Sequence, residues 1–230
     1  MTLSILTSMS STSPAPKNPK TGYKEGIVLI LSSPSGAGKT TLCQSLMKKL
    51  PELRLNISHT TRSPRENEID GKSYFFISEK KFQTMRERGD FLEWAIFSDN
   101  YYGTSFESIK VSREKGHDVL LEIDAQGAET LRKLNYPGFS IFILPPSIKE
   151  LTARLKNRGT ESDEIINQRL EIGTREIKGC LEYDYILTNH TVEETVENII
   201  SIFNAEKLRT SRFVPESADI QALLFPEEKV

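Results

Sequence analysis

The chain has 230 residues, 37% of them hydrophobic and 27% charged, with 30 Lys and Arg set against 32 Asp and Glu for a formal charge of −2. That length buries a full core. The balanced charge offers no basic field for nucleic acid, and no run reaches the ~18 apolar residues of a membrane span. The two cysteines, Cys43 and Cys180, stand far apart in no metal-ligand spacing, which fits a reducing, cytoplasmic setting.

Residues 1–24 are rich in Ser, Thr, Pro and Lys and read as a disordered leader. Their apolar portion is too short for a signal peptide and no basic region precedes it. Residues 27–33 then form an apolar strand buried on both faces, followed by the loop Ser33-Pro34-Ser35-Gly36-Ala37-Gly38 and by Lys39-Thr40-Thr41 at the start of a helix. Strand, small-residue loop, Lys-Thr and helix are the parts of a phosphate-binding P-loop. Gly36 and Gly38 let the backbone curl its N–H groups toward phosphate oxygens, and the helix adds its positive end. Lys39 reaches the β- and γ-phosphates, and the Thr40 hydroxyl ligates Mg²⁺. Ser33 stands where the usual pattern has Gly. A small residue serves there as long as its φ is not positive.

The helix runs to about Leu50, with Leu42, Leu46 and Leu50 on one face, and Pro51 stops it. Residues 58–105 differ in texture. Short strand-like runs at 74–77 and 91–94 alternate with turns, and a helix near 79–88 opens on Ser78. Polar and aromatic groups crowd this stretch, which reads as a small inserted lobe of mixed strands. Trp94 reads as its core, and Tyr101 as packing.

After a helix over about 105–115, the buried strand 119–124 ends in Asp124, the pattern of a second P-loop motif whose carboxylate holds Mg²⁺ waters beside Thr40. Next come a helix near 125–134, a strand at 140–144, and a helix opened by the Ser147/Glu150 capping box. That helix carries Arg154 and Arg158. A second charged helix over 162–178 carries Arg169 and Arg175, the latter a solvated charge. The strand 185–188 and a helix from Thr191 to about 208 follow, and the tail from 209 is polar and poorly patterned. His59, His117 and His190 lie in no metal spacing. Alternating strands and helices imply an α/β fold with a parallel sheet covered by helices, and ligands at the carboxyl ends of the strands.

The P-loop names a nucleoside triphosphate, and the inserted lobe names the acceptor. Arg62 and Arg65, three apart around Pro64, present two guanidinium forks suited to a dianionic phosphate. Tyr74 and Tyr102 add hydroxyl donors. Glu93, between Leu92 and Trp94, is placed to be partly buried. Its carboxylate matches the parallel N1–H and N2–H donors of guanine, whereas adenine presents an acceptor at N1. A mismatch of that kind discriminates by ~10⁴.

These residues bring the chain to a family. Ser-Pro-Ser-Gly-Ala-Gly-Lys-Thr (33–40), Ser-His-Thr-Thr-Arg-Ser-Pro-Arg (58–65), Gly-Lys-Ser-Tyr-Phe-Phe (71–76), Phe-Leu-Glu-Trp-Ala (91–95), Asn-Tyr-Tyr-Gly-Thr (100–104), Glu-Ile-Asp-Ala-Gln-Gly (122–127) and Arg-Gly-Thr-Glu (158–161) stand in order across about residues 26–206. The chain resembles a guanylate kinase of the nucleoside monophosphate kinase group. The resemblance implies a P-loop three-layer core with a parallel sheet (25–57 and 106–208), a GMP-binding lobe (58–105), a helical lid (147–178) and a tail from 209 to 230. It implies the reaction ATP + GMP ⇌ ADP + GDP with Mg²⁺, serving guanine nucleotide synthesis and recycling, with neither nucleic acid nor membrane as partner. It places Ser33 to Thr41 and Asn189 on ATP, with Asn189 near the adenine. Ser58, Glu93 and Thr104 fall on guanine, and Arg62, Arg65, Tyr74 and Tyr102 on the GMP phosphate. Glu122 and Asp124 fall on the nucleotide or metal waters, and Arg154, Arg158 and Arg169 on the ATP phosphates. Two rival readings remain at this point: a non-catalytic module that binds phosphorylated peptides through the arginine pocket, and a P-loop kinase for another monophosphate. Oligomeric state is left open.

Overall fold

The computed structural model describes residues 25–97, 99–157 and 163–225. A five-stranded parallel sheet forms its centre. β1 (Val28–Ser32) lies in the middle, flanked by β7 (Asp118–Glu122) and β8 (Phe139–Leu144), with β2 (Leu53–Leu55) and β9 (Tyr185–Thr188) at the edges, in the order β2-β7-β1-β8-β9. Every pairing in it is parallel.

Parallel strands need helical crossovers, which bury both faces. On one face, α1 (Lys39–Lys49) and α7 (Val192–Lys207) pack Leu42, Leu46, Ile199 and Phe203 against Leu29, Leu31 and Ile141. On the other, α3 (Phe106–Glu114) and α4 (Ala125–Lys133) bring Ile109 and Leu131 onto Val28, Val119 and Leu121. β1 is therefore buried at all five residues, and each large apolar side chain in it contributes about 1.5–3 kcal/mol.

Between β2 and α3 the chain makes a second sheet in the order β4-β3-β6-β5: β3 (His59–Thr60), β4 (Phe75–Phe76), β5 (Phe91–Phe97) and β6 (Asn100–Ser105), with α2 (Glu79–Glu87) on one face. Its own core is aromatic. Phe82 of α2 stacks on Phe91 at 4.3 Å and lies 5.1 Å from Tyr101, as the packing role for Tyr101 predicts. Trp94 departs from expectation. It is 44% exposed, with the Arg86 guanidinium 5.0 Å above its ring. Phe82 of α2 covers Phe91, whereas what α2 sets over Trp94 is the charged Arg86.

After β8, α5 (Ile148–Asn157) and α6 (Asp163–Lys178) share a small apolar cluster of Leu151, Leu155 and Ile166. The sequence-read helix starts hold: Ser78, Ser147 and Thr191 accept hydrogen bonds from the amides of Lys81, Glu150 and Glu194. The tail departs from its unpatterned reading, with a 3-10 turn at Thr210–Arg212 and a helix α8 (Ala218–Leu224). That helix buries none of its residues, although Ile220, Leu223 and Leu224 stand at i, i+3 and i+4. Among the described residues no helix is long and apolar enough to cross a membrane.

Candidate active site

The carboxyl end of β1 delivers the P-loop. Gly36 and Gly38 adopt φ of 95° and 98°, the left-handed region that a Cβ disfavours, while Ser33 does not. This is the condition on which Ser33 replaces the usual glycine. Its side chain is 6% exposed and donates to the Pro34 carbonyl at 3.1 Å. Gly38 caps α1, so Lys39, Thr40 and Thr41 form its first turn beside the open N–H groups. Helices α5 and α6 lie against this loop. A Cβ on Gly36 would come within 3.1–3.3 Å of Leu155 and Leu151, and one on Gly173 within 3.2 Å of Pro34.

The end of β7 supplies the carboxylates. Thr40 Oγ1 donates to Glu122 Oε1 at 2.6 Å, and Lys39 Nζ donates to the Ile123 carbonyl at 2.6 Å. Asp124 takes a different position from the expected one beside Thr40. Its Oδ1 accepts the Gly127 amide at 2.8 Å and caps α4. The strand ends at Glu122, so residue 124 belongs to the helix start and Glu122 is the carboxylate that meets the P-loop threonine. Among the described residues no group of three or more His, Cys, Asp or Glu gathers as a metal cluster.

Facing these groups across the sheet ends is a cavity of about 210 Å³, lined by Asn56, Ser58, Ser73, Tyr74, Thr104, Leu121 and Glu122 among others. Ser58, just before β3, and Thr104 of β6 have their hydroxyls 3.3 Å apart, and Thr104 Oγ1 donates to Glu93 Oε1 at 3.3 Å. Burial, with Asp124 nearby, raises the Glu93 carboxyl to about 7, against the pull of Lys39. Asn56 and Ser73 line the cavity too and were missed from the sequence. Asn56 lies two residues before Ser58 in extended chain, so alternation alone could have placed both on one face.

The arginine loop is held ready by Glu68. Arg62 Nη1 and Nη2 donate to its two carboxylate oxygens at 2.9 and 2.8 Å, and the Arg65 amide donates to Oε2 at 2.8 Å. These bonds hold the Glu68 carboxyl down at about 2. Arg62 also lies 5.6 Å from the Tyr74 ring centre and 5.8 Å from that of Phe76. Tyr74 and Tyr102 are themselves 6.0 Å apart, edge to face. The Arg65 side chain is exposed at the mouth of the loop.

The remaining residues divide. Arg169 on α6 reaches Ser35 Oγ at 3.4 Å, bringing α6 to the P-loop. Arg154 pairs along its own helix with Glu150 at 3.0 Å. Arg158 lies outside the described residues. Asn189 is placed differently from the adenine contact expected of it. It is 3% exposed, its Nδ2 donates to the Ala37 carbonyl at 2.8 Å, and its Oδ1 accepts from Thr195 at 3.1 Å. The side chain braces the P-loop from beneath. Glu176 on α6 joins the same charge cluster unforeseen; burial and Asp124 raise its carboxyl.

Comparison with known proteins agrees with this geometry. A family profile described as guanylate kinase matches residues 25–206. A guanylate kinase of Desulfitobacterium hafniense is 46% identical over 187 residues, covering 81% of this chain and 94% of its own. One from Caldanaerobacter subterraneus is 48% identical over 189 residues, covering 82% and 92%. The crystal structure of guanylate kinase from Anaplasma phagocytophilum superposes with a TM-score of 0.63 at 32% identity, covering 89% of this chain and 98% of that one.

Proposed function

The chain belongs to the guanylate kinase family and transfers the γ-phosphoryl group of ATP to GMP, and from that premise we propose how its residues divide the work. The observation that carries the proposal is the Glu93 carboxylate, held beside the Thr104 hydroxyl next to a purine-sized cavity. Guanine enters with N1–H and N2–H donating to Glu93, and Ser58 and Thr104 supply hydroxyls to the same base. The GMP phosphate takes the Arg62 fork in exchange for Glu68, since both present two coplanar oxygens. Arg65, Tyr74 and Tyr102 complete that grip.

On the donor side, the amides of residues 33–41 cradle the ATP phosphates. Lys39 leaves the Ile123 carbonyl for the β- and γ-oxygens, and Asn189 keeps the loop in shape from below. Arg154, Arg158 and Arg169 neutralise the phosphates from the lid. Transfer forms a bond from a GMP phosphate oxygen to the γ-phosphorus and breaks the bond to the β-bridging oxygen, releasing ADP. The attacking oxygen is already ionised, so no strong base is needed; the task is to bring two polyanions together in line.

The donor set fits Mg²⁺. Thr40 and Glu122 offer hard oxygens 2.6 Å from each other, and Asp124, which caps α4, acts through water, the sparse protein ligation that Mg²⁺ favours beside phosphates. When bound with ATP, Mg²⁺ neutralises phosphate charge. The lobe over 58–105 and the lid over 147–178 move on the core during the cycle, excluding water. The setting is the cytoplasm.

Glu93→Gln tests the base reading. Replacing an acceptor by an amide leaves guanine donors facing an N–H, so kcat/KM for GMP falls about 10²–10³-fold with KM for ATP unchanged. Unaltered GMP kinetics would remove Glu93 from base recognition.

A further inference from the structure

Glu93 comes from the smaller sheet, yet its carboxylate rests on a helix of the core. The route starts in a β-bulge. Phe91 pairs with Ser105 and Glu93 with Thr104, so Leu92 is the extra residue. In a regular strand Phe91 and Glu93 would share a face. Here Phe91 stacks on Phe82 under α2, while Leu92 joins the core cluster with Ile109, Ile123 and Leu131. The bulge re-aims the next side chain, as bulges beside active sites do, and Glu93 turns toward α4.

Its landing place is Gly127. A Cβ built there would lie 2.4 Å from Glu93 Oε2 and 3.1 Å from Glu93 Cδ, far inside contact distance. Gly127 is mid-turn in α4 and has no positive φ, so the helix itself makes no demand for glycine. The demand comes from the carboxylate. We propose that Gly127 is a positioning residue for GMP recognition: its missing side chain sets the depth at which Glu93 docks on the core, and hence where guanine is read.

This rests on Glu93 reading the base. The groups facing Glu93 are Asp124 at the start of α4, Lys39 from α1 and Thr104 from β6. Alanine at 127 is a better helix former than glycine, and the group it displaces is the end of a flexible side chain. The fold survives, and the damage falls on the acceptor site.

The experiment is a double-mutant cycle on the full chain, with Gly127→Ala, Glu93→Gln and both together. Gly127→Ala should lower kcat/KM for GMP about 10–100-fold, since a displacement near 1 Å at a reading group is worth that much, while KM for ATP and Tm stay near wild type. In the Glu93→Gln background the same change should cost almost nothing further. The pH profile adds a readout that a structural role would not move. Wild-type KM for GMP rises as pH falls below about 7, because burial and Asp124 oppose ionisation of Glu93. In Gly127→Ala the carboxylate shifts outward by about 1 Å, which lessens both, and the rise moves to lower pH. GMP's own phosphate titrates alike with either protein, so the difference between the two profiles is the signal.

An equal loss in both backgrounds would make Gly127 merely structural and overturn the proposal. So would wild-type GMP kinetics in Gly127→Ala when Glu93→Gln is impaired. Wild-type GMP kinetics in Glu93→Gln itself would instead overturn the base reading beneath it.

Discussion

Burying a carboxylate costs free energy, and at Glu93 the cost has a pH signature. The folded protein holds the Glu93 proton up to about pH 7, whereas the unfolded chain releases it near 4.5. Its contribution to stability is therefore fully present below pH 4.5 and is lost as pH rises through 7, a change of about 3 kcal/mol. Glu93→Gln removes the titration. At about pH 8 its Tm should exceed wild type by several degrees, and near about pH 4.5 the two should coincide; calorimetry at both values checks it. A variant no more stable than wild type at the higher pH would mean that Glu93 is not held in that buried state. Function keeps the residue at a position where stability would prefer an amide. At this scale the sequence was generous. Ser58, Tyr74 and Thr104 line one cavity, with Glu93 on Thr104 and Arg62 beside Tyr74. It misassigned the carboxylate beside Thr40, because Glu122 and Asp124 read alike until one knows that the strand stops between them. It also placed Asn189 on the nucleotide, because nothing local announces that a side chain will turn under a loop 152 positions away.

Elements were legible where their determinants are local. Helix caps at Ser78, Ser147 and Thr191 needed only their own first turns, and the leucine face of α1 only its period. The strands β2 and β3 were missed because they have three and two residues and owe their existence to partners far along the chain. β6 hid for a related reason: its Asn-Tyr-Tyr-Gly sequence carries no alternation, and Gly103 is required by crowding, with a Cβ meeting Phe91 at 2.9 Å. The P-loop illustrates how one element leans on another. Asn189 follows β9, donates to Ala37 and is held by Thr195 of α7, while a Cβ on Gly38 would press its Nδ2 at 2.8 Å. Asn189→Ala leaves the Ala37 carbonyl buried without that donor, which costs about 1–3 kcal/mol. The expected outcome is a Tm lowered by several degrees together with a raised KM for ATP and an unchanged KM for GMP. Equal damage to both substrates would mean that Asn189 serves the core as a whole.

For the molecule entire, the arrangement answers one electrostatic problem. Two highly charged anions must meet end to end, and the cationic groups for them come from three parts of the fold: Lys39 from the core, Arg62 and Arg65 from the smaller sheet, Arg169 from α6. Lys39 and Arg62 are each held by an internal acceptor in this structure, Lys39 by Ile123 and Arg62 by Glu68, and the proposed function has each acceptor give way to phosphate. The parallel sheet and its helices were readable from alternation of strands and helices alone. The order β2-β7-β1-β8-β9 was not, because it depends on which strands the crossovers bring together. That order puts the ends of β1, β7 and β8 side by side, and so sets the P-loop, Glu122 and the start of α5 on one rim.

The most direct test of this account is ADP production from ATP and Mg²⁺ by the purified chain, with GMP, AMP, UMP and CMP offered separately. Turnover with GMP and none above background with the other three is the predicted result, because only guanine presents paired donors to Glu93. Comparable turnover with AMP or a pyrimidine monophosphate would contradict it, leaving the P-loop chemistry intact and removing the carboxylate from the choice of base.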